Sequence, residues 1–310
     1  RRSSSSAVPN RRLLPKVFLL CGFTPWAHQD RRPWWSKGYQ LMLLLSSLAM
    51  LGLFMAEVLL DKLRGVPAQL QHSYEPSQHS LLSTLPLAAA VVSYLVPPSL
   101  CPGSMSVSET LLLLQMYMQR RDLLSTWTAQ ARSDAILTVS ALVLTILWTC
   151  FEVFLNSNFA WPSEDALLRL VCFALLASLI AAWSQCILYM CRALSAMVDK
   201  FCCSMTDIPD IFQAMDEWNV MQAVMLKASG SIEWSFVSLL VAISLAVPLV
   251  IADVMSLGFR LAVWASLAPI VLLTVLLVRV FFVAAGISDK CTRVPALANS
   301  LSFGPGTEHR

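Results

Sequence analysis

Long apolar runs alternate with short polar connections along most of this chain. About 20 apolar residues in a helix are enough to cross the hydrocarbon core of a bilayer, which is roughly 30 Å thick. Six runs meet or approach that length, and they occupy approximately residues 38–60, 81–100, 136–155, 166–190, 232–251 and 261–284. The pattern predicts an all-α polytopic membrane protein with six transmembrane helices.

The third run is preceded by a helical pattern that begins well before the membrane. Ser106 and Glu109 form an S-x-x-E capping box, which is typical of a helix start. Neither Gly nor Pro lies between Val107 and Leu155. We therefore predict one continuous helix of about 70 Å, more than twice the apolar thickness of a bilayer.

Two other helices are predicted to extend beyond the bilayer. Residues 163–206 contain neither Gly nor Pro and are more than a membrane span requires. Pro209 is compatible with the first turn of a new helix that enters the fifth run, and Gly230 allows a kink there. The extensions at 106–135 and 191–231 lack the Lys- and Arg-rich face of helices that lie on headgroups, so we expect them to pack as a bundle.

Lysine and arginine are concentrated in alternate connections. Those ahead of the first run are Arg1, Arg2, Arg11, Arg12, Lys16, Arg31, Arg32 and Lys37, whereas residues 156–165 contain none. By the positive-inside rule, both termini and the even-numbered connections are cytoplasmic. The predicted organisation is a cytoplasmic segment at 1–37, a transmembrane domain at 38–284 and a cytoplasmic tail at 285–310.

Composition narrows the class of function. With 57% hydrophobic and 13% charged residues, the chain has too little polar surface to coat a soluble domain. Its net charge of +3 comes mostly from the basic segments that set orientation, so we infer no nucleic-acid partner. The sequence shows no nucleophile–base pair, phosphate loop or metal motif. We expect neither an enzyme nor a cofactor.

Ionisable residues within apolar runs are candidates for function because a charge in the membrane is costly. Glu152 and Arg169 flank the connection between the third and fourth runs, where they could pair or reach separately to the membrane surface. Arg279 lies in the inner third of the sixth run. Its side chain could extend to the cytoplasm, or contact an ion path or a lipid.

Aromatic residues mark the outer halves of three runs. Trp148, Phe173 and Trp264 lie at similar expected depths in the third, fourth and sixth runs. A small apolar pocket between helices is the usual form of a ligand site in a membrane receptor. The alternative is an aromatic belt, because tryptophan is enriched at membrane interfaces.

Residues 13–25, LLPKVFLLCGFTP, resemble the short helix ending in Gly-x-x-Pro that precedes the first span in the insect odorant and gustatory receptor superfamily. The N-inside orientation and the long extensions of spans three to six resemble that superfamily as well. Its members have seven spans, and the seventh carries a Thr-Tyr and Gln-Phe motif. No apolar run follows the sixth here, so we interpret the chain as a fragment without the seventh span.

The resemblance implies a ligand-gated cation channel subunit of the plasma membrane, assembled as a homotetramer or with related subunits. A small molecule would bind in an outer-leaflet pocket among spans three to six, at Trp148, Glu152, Phe173 and Trp264. Subunits would meet through the bundle, at Leu124, Trp127 and Trp218. The alternative is a transporter or lipid-handling membrane protein without channel activity, although internal repeats and paired broken helices are not evident.

Overall fold

The described part of the chain is entirely helical, as predicted. The computed structural model describes residues 107–156, 164–205, 211–257 and 261–300, together with Met42 and Leu45. The four ranges form helices α1 (Val107–Arg120), α2 (Leu124–Asn156), α3 (Glu164–Met205), α4 (Ile211–Leu257) and α5 (Leu261–Ser300). The motif at 13–25 and most of the first two apolar runs lie outside the described residues.

Three described segments are long and apolar enough to cross a membrane. They are Leu124–Phe154 in α2, Leu170–Met205 in α3 and Val271–Pro295 in α5. These segments indicate a membrane-embedded protein. The fifth apolar run, 232–251, lies within α4. The count of six spans and the cytoplasmic position of both termini stay predictions.

The outward face of α2 is apolar. Its large exposed side chains are Ile136, Leu137, Val139, Val143, Leu144, Leu147, Trp148, Phe151 and Phe154. In water such a continuous surface would be unfavourable, whereas lipid tails solvate it without cost. We therefore take this face to be the lipid-facing side of α2.

Helix α3 lies at the centre of the described helices and packs against each of the other four. Most of its side chains between residues 180 and 198 are buried. Small residues such as Ala181, Ser184 and Ala193 are among them, and small side chains allow helix backbones to approach closely in a membrane. This central position makes α3 the helix against which the others are arranged.

The predicted continuous helix over 106–155 is wrong at one point. α1 ends at Arg120 and α2 begins at Leu124, and Asp122 between them has a φ of 56°. The N–H of Leu123 donates to a carbonyl five residues earlier at 3.0 Å, and that of Asp122 to one three residues earlier at 3.4 Å. This is the Schellman pattern of a helix end. Aspartate tolerates the left-handed region, so the helix ends without the Gly or Pro on which the prediction relied.

The predicted continuous helix over residues 163–206 is confirmed, whereas Pro209, the predicted start of the next helix, lies outside the described residues. The Gly- and Pro-free stretch corresponds to α3, which has 42 residues and therefore a length of about 63 Å. α4 continues unbroken through Gly230 to Leu257, and α5 extends beyond the sixth apolar run to Ser300. α1 packs against both α3 and α4, and the packing of the extensions at 106–135 and 191–231 as one bundle stays a prediction.

We expect Gly230→Ala to stabilise α4. A Cβ added at Gly230 would meet no atom within 4 Å, and alanine is favoured over glycine in a helix interior by about 1 kcal/mol. The thermal unfolding midpoint in detergent should rise. The reverse change at exposed Ala223 in the same helix is the control and should lower it by a similar amount. A fall in the midpoint for Gly230→Ala would show that the helix needs glycine there.

Candidate functional site

A single buried carboxylate joins three helices. Asp134 of α2 is only 2% exposed. Arg192 of α3 donates from Nε to its Oδ2 at 2.8 Å and from Nη2 to its Oδ1 at 3.4 Å. Arg279 of α5 donates from Nη2 to the same Oδ1. We call Asp134, Arg192 and Arg279 the charged triad.

Polar contacts continue from the triad along the seam between α2 and α3. The Thr138 hydroxyl lies 2.9 Å from the Asp134 carbonyl oxygen and 3.1 Å from Gln185 Oε1, and its one hydrogen can be donated to either oxygen. Gln185 Nε2 donates to the Ala131 carbonyl at 3.3 Å. The buried amide and hydroxyl therefore have partners, as buried polar groups require.

Trp127 and Tyr189 form an aromatic pair between α2 and α3, at the end of their contact that is nearer α1. Trp127 is fully buried, and its Nε1 donates to the Tyr189 carbonyl at 2.9 Å. The two rings have centroids 4.2 Å apart. The indole thus satisfies its only donor while its ring fills the space between α2 and α3.

The sequence of α2 places all these groups on one face. Its buried positions are Trp127, Ala131, Asp134, Thr138 and Thr145, which follow one another at steps of three, four or seven residues. Such steps return to the same side of a helix. From Asp134 onwards, α2 therefore turns Asp134, Thr138 and Thr145 inwards and mostly apolar side chains outwards, the reverse of a helix on the surface of a soluble protein.

The triad carries one more positive than negative charge. Asp134 contributes one negative charge and the two arginines one positive charge each, which leaves +1 over the three residues. The arginine side chains are 31% and 28% exposed, whereas the carboxylate is buried. The buried carboxylate therefore has two cationic partners, and the surplus charge is on the partly exposed arginines.

The four residues predicted to bind a ligand belong to α2, α3 and α5. The Trp148 ring is partly exposed, with its centroid 6.2 Å from that of Phe151. Phe173 is buried in the hydrophobic core, and Glu152 is partly buried. Trp264 belongs to α5, and its side chain lies outside the described residues. Their assembly into one pocket stays a prediction.

Helix register separates these positions from the triad. Trp148 follows Asp134 by 14 residues in α2, a rise of about 21 Å. Trp264 precedes Arg279 by 15 residues in α5, a rise of about 22 Å. The predicted ligand positions therefore lie towards the opposite end of the membrane segments from the triad. The predicted partner of Glu152, Arg169, has a side chain outside the described residues, and that pair stays a prediction.

The three residues predicted to mediate assembly pack within their own chain. Trp127 is fully buried, and Leu124 packs against the core. Trp218 is partly buried, with its ring centroid 5.4 Å from that of Phe201. These side chains hold α2, α3 and α4 together in one subunit. Their role between subunits stays a prediction.

An ion pair joins the turn after α1 to α4. Arg121 Nη2 lies 3.0 Å from Glu217 Oε1, and its guanidinium carbon lies 5.9 Å from the centroid of the Tyr117 ring. The hydrogen bond with Glu217 raises the pKa of Arg121 above its ordinary value. Burial raises the pKa of Tyr117, although Arg121 opposes that shift.

The C-terminal part of α5 contacts α3 and α4 through Lys290 and Cys291. Lys290 Nζ donates to both carboxylate oxygens of Asp199, at 2.7 and 2.6 Å, and to Ser195 Oγ at 2.8 Å. Cys291 Sγ lies 3.7 Å from Met225 Sδ in α4. These contacts extend the packing of α5 about two to three turns beyond the triad.

Sequence reasoning singled out Arg279 but missed Asp134, Arg192 and Gln185. Asp134 immediately precedes an apolar run and Arg192 immediately follows one, positions where charged residues commonly mark a membrane boundary. The available signal was the spacing of Trp127, Asp134 and Thr138 on one helical face opposite an apolar one. That spacing indicates an inward-facing carboxylate, which in a membrane requires a cationic partner.

The fold and the site define an all-helical, membrane-embedded protein with a charged contact buried between three helices. The chain matches no protein-family model, no curated protein and no solved structure. Evidence for its function therefore comes from its sequence and its own geometry.

We expect Asp134→Asn to destabilise the protein by about 3 kcal/mol. Two arginines would then face each other without the carboxylate, and removing one partner of a buried ion pair costs roughly 3–5 kcal/mol. The lower end applies because both arginines are partly exposed. Denaturant-induced loss of helical circular dichroism in detergent measures the change.

Asp199→Asn is the matched control for that measurement. It makes the same chemical change in a pair whose carboxylate is 57% exposed, and exposed pairs contribute less than about 1 kcal/mol. Equal effects of the two substitutions would contradict a special role for the triad.

Proposed function

We propose that this chain is a membrane receptor subunit of the gustatory-receptor kind, which forms a ligand-gated cation channel in the plasma membrane. A small molecule binds near Trp148, Glu152, Phe173 and Trp264. The resulting shift in helix packing passes to the segments beyond the apolar runs, where subunits assemble. The function is one of signalling, without catalysis or a cofactor.

The observation that supports this proposal is the length and continuity of the helices. α3, α4 and α5 have 42, 47 and 40 residues, which correspond to lengths of about 60–70 Å. Each is roughly twice as long as a bilayer core is thick. In α3, which contains neither Gly nor Pro, a displacement at one end reaches the other end because a rigid helix moves as a body against its neighbours.

The charged triad gives this movement a fixed point in the proposed mechanism. The triad binds α2, α3 and α5 together at one level, about 20 Å along each of α2 and α5 from the proposed ligand residues. A ligand that separates the helices at its own level would tilt them about the triad. It opens the channel only if its affinity is higher for the open arrangement.

A transporter or lipid-handling protein is the second candidate, and the triad itself favours it. Charged residues between membrane helices often mark the path of a substrate or an ion. The resemblance of residues 13–25 to a receptor segment is what makes the channel our first choice. Transfer of fluorescent phospholipid between vesicles without cation flux would select the second candidate.

The receptor proposal is tested with the purified chain in proteoliposomes that contain a potassium-sensitive dye. We expect a panel of sugars and volatile odorants to include a compound that triggers cation flux. Trp148→Ala should raise the half-maximal concentration of that compound about 10- to 100-fold, because burying an aromatic side chain against a bound ligand contributes roughly 1.5–3 kcal/mol.

Phe282→Ala is the control for this experiment. Phe282 is an exposed aromatic residue of α5, and its removal should leave the concentration dependence unchanged. If the protein is folded and no compound of the panel triggers cation flux, the channel proposal is overturned. Flux that is equally sensitive in Trp148→Ala would remove that residue from the ligand site.

A further inference from the structure

The arginine pair in the charged triad has more donor capacity than Asp134 uses. A guanidinium group has five N–H donors. Arg279 gives Nη2 to Asp134, while its Nη1 is buried and has no hydrogen-bond partner among the described residues. A buried donor without an acceptor is unfavourable, so this site favours an additional acceptor.

The net charge of the triad also favours an anionic ligand, as the unused donor of Arg279 does. The triad has a net charge of +1, since one carboxylate is shared by two arginines. Asp199, a nearby carboxylate on α3, is already bound through both oxygens to Lys290. An anionic acceptor would complete the hydrogen bonding of Arg279 and also neutralise the surplus charge.

The depth of the triad indicates where such an anion would come from. On α2, Gln130, Arg132 and Ser133 are exposed just before Asp134, and from Ile136 onwards the exposed face is largely apolar. The carboxylate therefore lies where a polar surface gives way to a lipid-facing one. Lipid phosphates are expected at such a boundary, and basic pockets between membrane helices bind acidic headgroups.

We propose that Arg279, assisted by the charge of Arg192, binds a phosphate group at the membrane boundary, and that an acidic membrane phospholipid supplies it. The planar fork of arginine suits phosphate oxygens better than a lysine ammonium does. This site is independent of the proposed ligand residues, which lie about 20 Å away along α2 and α5. Its failure would leave the receptor proposal intact.

The test compares the purified chain in phosphatidylcholine vesicles with and without phosphatidic acid. Phosphatidic acid should raise the thermal unfolding midpoint of the wild-type protein, and native mass spectrometry should show a retained phosphatidic acid molecule. Arg279→Lys keeps a cation for Asp134 but loses the second donor arm. It should weaken lipid retention about 10- to 100-fold, the effect of losing one charge-assisted hydrogen bond.

Two further variants distinguish a specific phosphate site from a general attraction between basic side chains and acidic lipid. Arg293→Gln removes the same charge from the same helix, at a side chain that is 77% exposed and paired with Asp289; it should retain phosphatidic acid as wild type does. Arg279→Gln should retain none. Equal losses in Arg293→Gln and Arg279→Gln, or retention unchanged in Arg279→Lys, would overturn the proposal.

A third arm identifies the source of the phosphate. Inorganic phosphate added to protein in phosphatidylcholine vesicles should leave the unfolding midpoint unchanged if a lipid supplies the group. An increase that disappears in Arg279→Lys would support the phosphate site but assign it to a soluble anion. Circular dichroism of each variant without acidic lipid verifies that it is folded. A loss of lipid retention is then not caused by unfolding.

Discussion

The arrangement of the helices depends on one carboxylate. Asp134 is the only negative charge in a contact that includes two arginines from two other helices. Apolar side chains hold membrane helices together without specifying a register, because lipid tails are as apolar as leucine. A buried charge that must be paired does specify a register. The pair with Arg192 sets α2 against α3, and the contact with Arg279 sets α5 against both.

Because Asp134 must face its arginine partners, other polar side chains along α2 face inwards as well. Once Asp134 faces α3, residues at three- and four-residue steps face it too, and Thr138 and Trp127 use this position for hydrogen bonds to Gln185 and Tyr189. The opposite face is left to apolar side chains such as Leu144. One helix therefore presents a polar seam to its neighbours and an apolar surface to lipid.

The helices could be predicted from the sequence, and their contacts could not. Apolar length and the absence of Gly and Pro over 163–206 predicted α3, which runs from Glu164 to Met205. The same rule failed at Asp122, because a left-handed aspartate ended α1 without either residue. The triad was missed since Arg192 and Arg279 are 58 and 145 residues from Asp134. Nothing local to one charged residue reveals a partner so distant in the chain.

The two arginines are not held equally, and this links the triad to movement. Arg192 uses two nitrogens on the carboxylate, whereas Arg279 uses one. Within the triad, a shift of α5 relative to α2 and α3 therefore breaks fewer hydrogen bonds than a shift between α2 and α3. The same arginine carries the unused donor. An anion bound there would replace interactions that Arg279 loses when α5 moves, so the composition of the membrane would bias the position of α5.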